Sequence, residues 1–398
     1  MTRIFTFLSL IIFTHHLYSQ CNGRYSSEIF SSVNVTEVEY TDVYDLNIFN
    51  TGLDMDVYVP DGDTEQNRPV IIFAHGGTFI AGTKTDAPIV ELCEAFAKRG
   101  YVTASIQYRL TSPLLLTDSL HMVETVLEAV SDAKAAIRYF RKDYSLNNNF
   151  GIDPDQIYIG GYSAGAVIAD HIGYFNDLSV APNYISSVVN SSLIGGLDGN
   201  SGNSGFSSDV KGVINIAGAL TSTVHIDIND VPIVSVQATD DATLPYYCDH
   251  ALQASYMLTC CGAGPIHDVA NNLGLYNALH TFQSGGHSMP ISQMANITIP
   301  FISDFIFTTL DCYQSTNDLV NHQNKINVYP NPSLNFVNIS SKDLISKVQI
   351  FDLMGRAIYS KDFEKFNVLI DLESAVNGIY NLVLHTEKGL STHILIKK

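Results

Sequence analysis

The chain has 398 residues, enough for two or three domains at roughly 100–200 residues each. Hydrophobic residues make up 46% and charged residues 15%, which excludes a disordered, charge-rich protein. With 40 Asp plus Glu against 21 Lys plus Arg, the formal charge of −19 repels phosphate backbones and anionic headgroups. Neither nucleic acid nor an anionic membrane is therefore an expected partner, and the charge reads as a soluble surface.

Arg3, the apolar run Ile4–Phe13 and the polar tail Thr14–Gln20 predict a secretory signal peptide over residues 1–19, too short to span a bilayer. Cys21 raises a lipid-anchored alternative, which Gln20 immediately before it argues against. Six cysteines in an exported chain suggest disulfides, with fifteen possible full pairings. No CxxC pair and no His–Cys spacing points to zinc, so neither metal nor cofactor is expected. No later stretch reaches about 18 apolar residues, so no transmembrane anchor is expected.

From about Asp42 to Leu310 strands alternate with amphipathic helices. Strands are predicted at Val70–Ala74, Tyr101–Gln107, Ile157–Gly160, Val213–Ile216, Ile233–Gln237 and Leu279–Phe282. Apolar stripes predict helices over Pro88–Lys98 (Ile89, Leu92, Cys93, Phe96) and Val123–Phe140 (Val126, Val130, Ala133, Ile137). This alternation implies a mostly parallel sheet covered by helices on both faces. The Ser-, Gly- and Asn-rich stretch Ser191–Ser208 reads as a long surface excursion; Asp198 and Asn200 in it complete no calcium loop. After the polar segment Gln314–Lys325 the pattern changes to short strands with glycine turns, which suggests a small C-terminal β-sandwich. The expected organisation is a leader at 1–19, an α/β domain at 20–313, a linker at 314–325 and a β domain at 326–398.

Gly161-Tyr162-Ser163-Ala164-Gly165 matches G-x-S-x-G, directly after a predicted strand and before the helical run Ala166–Phe175. That context suits a nucleophilic serine thrown out of a tight strand-to-helix turn, with flanking glycines removing side chains that would clash. The following helix also directs positive dipole toward a developing oxyanion. Upstream, His75-Gly76-Gly77-Thr78-Phe79 leaves a strand end, where a glycine loop turns amides toward an oxyanion. The amides of Gly77 and Ala164 are the expected hole, while His75 reads as a loop organiser.

A serine nucleophile needs a base, and the base an orienting carboxylate, in the chain order Ser, acid, His. Asp240 and Asp241 both follow the strand Ile233–Gln237, and the residues alone leave both open. His287, in the loop Ser284-Gly285-Gly286-His287, is the expected base; His267 and His280 are its rivals.

Together these motifs resemble the α/β-hydrolase superfamily, in its carboxylesterase and hormone-sensitive-lipase-like branch, over about residues 42–310. The resemblance rests on residues 75–82 (His-Gly-Gly-Thr-Phe-Ile-Ala-Gly), Gln107-Tyr108-Arg109-Leu110, Gly151-Ile152-Asp153-Pro154 and the serine motif. The family's acid motif aligns with Ala238-Thr239-Asp240-Asp241-Ala242-Thr243-Leu244-Pro245 and selects Asp241. Thr78 stands where many members carry a third glycine, and Ala238 replaces another. The C-terminal region resembles the sorting domain of the type IX secretion system of Bacteroidetes, through Val328-Tyr329-Pro330-Asn331-Pro332-Ser333, Ile350-Phe351-Asp352-Leu353-Met354-Gly355 and Asn377-Gly378-Ile379-Tyr380. That resemblance implies outer-membrane export by the type IX machinery to the surface or medium, usually with removal of this domain.

The expected protein is thus an exported serine carboxylic ester hydrolase with the triad Ser163, Asp241 and His287. Its expected substrates are acylglycerols, acyl or feruloyl groups on polysaccharide, or polyester oligomers. The competing readings are a peptidase of the same fold and a non-catalytic carbohydrate-binding adhesin.

Overall fold

Runs of β-branched residues, broken by glycine and proline, build the central sheet. The computed structural model describes residues 20–44, 52–114, 119–311, 327–329, 331–333, 335–352, 356–373, 375–386 and 389–398. The predicted leader and linker, and Cys312, lie outside them. The chain divides into two compact units, Met1–Leu310 and Asp311–Lys398.

In the first unit the elements run β1 (Val33–Tyr44), β2 (Gly52–Pro60), β3 (Arg68–Ala74), α1 (Ala87–Ala97), β4 (Val102–Ile106), α2 (Ser119–Leu146) and β5 (Ile152–Tyr162). They continue with α3 (Ala164–Tyr174), α4 (Asn183–Val189), β6 (Gly212–Ile216), β7 (Ile233–Ala238), β8 (Cys248–His250), β9 (Thr259–Cys261) and α5 (Ala263–Leu273), then β10 (Asn277–Phe282), α6 (Met289–Ser292) and α7 (Ile299–Thr309). The eight-stranded sheet has the order β1-β2-β4-β3-β5-β6-β7-β10. From β4 to β10 every pairing is parallel; β1 and β2 add an antiparallel edge. All seven residues of β3 are buried, as a strand covered by helices on both faces requires.

The antiparallel edge is not among the predicted strands, although Leu53-Asp54-Met55-Asp56-Val57 alternates as a half-buried edge strand does. Asp56 of β2 is nevertheless buried, where Lys84 pairs with it. Helix α2 also outruns its predicted span at both ends. Its cations hold the Ser/Gly-rich excursion: Arg138 donates to the carbonyls of Asp198 and Gly202, and Lys134 to that of Leu197. Arg109 reaches the same stretch through Ser201, a fully buried residue, while also binding Asp132 and Glu128. The excursion is therefore fastened to α2 along its length, a tie that composition does not reveal.

Cys248 and Cys261 form a disulfide across the β8–β9 hairpin. Cys21 is also disulfide-bonded, whereas Cys93 and Cys260 are buried free thiols.

The second unit is antiparallel throughout its named pairings: β11 (Asn327–Tyr329), β12 (Phe336–Phe351), β13 (Ala357–Asp371), β14 (Gly378–Thr386) and β15 (Gly389–Lys397). Where the sequence reads as two strands, Asn335–Ile339 and Lys347–Asp352, one long strand β12 runs through both, with register shifts between Ser340 and Lys347. Its core comprises Val337, Ile339, Val348, Ile350, Ile370, Leu382, Leu384 and Leu395, all buried. Among the described residues no helix is long and apolar enough to cross a membrane.

Candidate active site

Strand β5 ends at Tyr162 and helix α3 begins at Ala164, so Ser163 alone makes the turn. Its backbone sits at φ 58°, ψ −118°, a region L-residues avoid. The surroundings hold it there: its amide donates to the Ile216 carbonyl at 2.9 Å, and its carbonyl accepts from the amides of Ala166 and Val167. The turn closes only because its neighbours lack side chains. A Cβ on Gly165 would lie 1.9 Å from the Ala74 carbonyl oxygen, and one on Gly161 2.3 Å from the Gly165 carbonyl carbon. Both obstacles are backbone, so neither can swing aside. Gly165→Ala is accordingly expected to destabilise the fold by on the order of 3 kcal/mol or more, read as a lowered urea midpoint at an unchanged m-value. A midpoint equal to wild type would refute the close packing of α3 on the end of β3.

The loop after β10 brings His287 to the serine. Ser163 Oγ lies 2.7 Å from His287 Nε2, and His287 Nδ1 lies 2.8 Å from Asp241 Oδ2. The Asp241 side chain is fully buried while the imidazole stays partly exposed. The other Asp241 oxygen accepts from the amides of Thr243 (2.9 Å) and Leu244 (3.1 Å), so both carboxylate oxygens have partners. Gln237, which the sequence did not single out, supports the arrangement. Its side-chain amide donates to the Leu244 carbonyl at 2.9 Å and its oxygen accepts from the Ala263 amide. A polar residue inside an otherwise apolar buried strand was the available signal.

Asp240 does a different job. Its carboxylate accepts from the amides of Gly286 (2.8 Å) and Gly285 (3.1 Å), which hold it below the usual carboxylate range. It thereby anchors the glycine loop that carries His287. The rival histidines lie elsewhere. His267 is buried between Asn277 and Ser235, and His280 sits in β10 against Phe282 and Phe301. Tyr162, the variable residue of the serine motif, packs its ring against the His287 imidazole with centroids 5.3 Å apart.

The upstream glycine loop lies against Ser163: a Cβ on Gly76 would be 3.3 Å from Ser163 Cβ. Gly77 has φ +117°, which glycine adopts readily, and its carbonyl accepts from the amides of Ile80 and Ala81. His75 is fully buried, stacks on Tyr108 at 4.2 Å and donates from Nδ1 to the Gly76 carbonyl. Tyr108 in turn donates to the His75 carbonyl at 2.8 Å.

Beside Ser163 opens a cavity of about 990 Å³, including its open mouth, between α2, α3 and the disulfide-closed hairpin. His171 forms part of its wall. Burial pushes this imidazole down to about 4, with the charge of His225 acting in the same direction. It is neutral at pH 7, donating from Nδ1 to the Val167 carbonyl and accepting at Nε2 from Thr221.

That depressed value has a stability consequence. Between about pH 4 and the ordinary histidine value near 6.5, the unfolded chain binds the proton and the folded chain does not. The contribution is therefore complete above about pH 6.5 and lost as pH falls toward 4, on the order of 3 kcal/mol. Unfolding free energy measured at pH 7 and 4.5 should drop steeply for wild type and less for His171→Gln. Equal slopes would rule out His171 as a source.

The order of strands and the serine elbow define an α/β-hydrolase fold. Residues 55–222 match the BD-FAE family model, and residues 327–398 match the secretion system C-terminal sorting domain. The chain thus carries the sorting domain that directs type IX export to the cell surface or medium. It is 35% identical over 115 residues to a probable isoprenylcysteine alpha-carbonyl methylesterase of Oryza sativa, covering 29% of this chain and 24% of that protein. It is 32% identical over 101 residues to gut esterase 1 of Caenorhabditis elegans, covering 25% and 17%. The chain spans a quarter or less of the length of these curated relatives. Among solved structures, Thermogutta terrifontis esterase 2 phosphonylated by cyclosarin shares the fold, with TM-score 0.50 and 21% identity over 70% of this chain and 94% of that one.

Proposed function

We propose that the protein is an exported serine carboxylic ester hydrolase, with residues 20–313 as its catalytic part and 326–398 as an export domain that takes no part in catalysis. The observation that carries the reading is the relay Ser163–His287–Asp241, with successive contacts of 2.7 and 2.8 Å. Ser163 Oγ attacks the ester carbonyl while His287 Nε2 takes its proton, giving a tetrahedral intermediate and an imidazolium that Asp241 stabilises. The amides of Gly77 and Ala164 hold the oxyanion, aided by the N-terminus of α3. The intermediate collapses to an acyl-serine as His287 returns the proton to the leaving alcohol. A water, deprotonated by the same imidazole, then releases the carboxylic acid and restores Ser163. Simple esters are the substrates to try first, because the shared stretches of both curated relatives come from proteins named as esterases.

The test is hydrolysis of p-nitrophenyl acetate by the full chain beside Ser163→Ala. Turnover that depends on Ser163 sustains the reading. A folded wild type no more active than the mutant on any ester overturns it.

A further inference from the structure

We infer that the cavity is an acyl tunnel for an unbranched medium-length fatty acyl group, and that Val167 and Leu258 set the chain length it takes. The inference rests on the hydrolase reading of Ser163 and names its substrate class. Ser163, Val167, His171 and Phe175 all line the cavity and are spaced four residues apart, so they form one stripe along α3. At 1.5 Å of rise per residue, the stripe runs about 12 Å from Ser163 to His171 and about 18 Å to Phe175. An extended acyl chain of roughly ten to fourteen carbons has that reach. The facing wall comes from α2, through Val126 and Leu127, and from the hairpin side, through Leu258.

The His171 ring in the wall is already engaged. The neutral His171 ring donates to Val167 and accepts from Thr221, so it turns no unmet donor or acceptor toward a guest. An apolar chain therefore displaces no bond of that ring, and the largely aliphatic lining favours a hydrocarbon guest over a phenol or sugar hydroxyl. Which half of the ester enters follows from the chemistry. The leaving alcohol must receive its proton from His287, and His287 is not among the residues lining the cavity. The half that stays bound to Ser163 is the acyl half, and the cavity opens on Ser163 and Ala164.

The experiment measures kcat/KM of the full chain on p-nitrophenyl esters from acetate to palmitate, with a feruloyl ester and a mirror series of alkyl acetates. Each buried methylene is expected to raise kcat/KM roughly threefold to fourfold, so the eight methylenes between acetate and decanoate give on the order of 10⁴-fold before the rise stops. Lengthening the alcohol should give a flat profile. Val167→Phe, one turn beyond the nucleophile, should lower the decanoate-to-acetate ratio by about tenfold or more. Leu258→Trp blocks from the hairpin side and keeps the test decisive if the first variant fails to fold. A profile that peaks at acetate or at the feruloyl ester, or a ratio that both folded variants leave unchanged, overturns the inference while Ser163-dependent turnover of acetate leaves the hydrolase reading standing. No Ser163-dependent turnover on any ester removes both.

Discussion

Ser163→Ala is expected to lower kcat on p-nitrophenyl acetate by on the order of 10³-fold or more, with thermal stability close to wild type. The reason is specific to the elbow. The change removes Oγ and leaves a Cβ, so the positive-φ backbone and the Ile216 contact persist. His287 keeps its bond to Asp241, and the Gly77 and Ala164 amides proposed to hold the oxyanion are untouched by the change. What is lost is the bond-forming atom, so the defect should appear in kcat far more than in KM. A mutant within tenfold of wild type would exclude Ser163 as nucleophile.

The second large effect separates two adjacent aspartates. Asp241→Asn is expected to cost on the order of 10³- to 10⁴-fold in kcat. Its amide oxygen can still accept from Thr243 and Leu244, which turns the NH₂ toward His287. Nδ1 must then accept rather than donate, which places the ring proton on Nε2, facing Ser163 Oγ. A ring in that tautomer cannot take the serine proton. Asp240→Asn is expected to cost only a few-fold. One oxygen still serves one glycine amide, and the loop bearing His287 loosens without losing a catalytic atom. Kinetics of the two single mutants, each checked for folding, decide the matter. A larger loss at position 240 would reverse the assignment.

The chemistry of the elbow is legible in the sequence because its requirements are local. A serine between a strand and a helix, with glycine on both flanks, states a close approach of backbone to backbone, and the Gly165 and Ala74 geometry is that approach. The six parallel strands are equally legible, since each is a short apolar run bounded by turn residues. The edge strands β1 and β2 are less legible: Leu53-Asp54-Met55-Asp56-Val57 does alternate, but Asp56 is buried where that alternation assigns a solvent-facing side chain, and only Lys84, distant in sequence, makes this tolerable. The single long strand β12 was equally hidden, because a polar middle reads as a turn until both neighbours pair with it.

By itself, then, the sequence determined the residue types of the site, their order, the parallel sheet beneath them and the presence of an export domain. All of these depend on spacing within one element or turn. Tertiary structure decided which histidine of the three reaches Ser163, which aspartate meets the imidazole, and that Gln237 stands behind them. It also decided that Cys248 pairs with Cys261, that Ser191–Ser208 is tied to α2, and that an apolar cavity opens beside Ser163. Each of these is a distance between residues that the chain alone keeps apart. Only the packing of α2, α3 and the hairpin around the sheet brings such residues together.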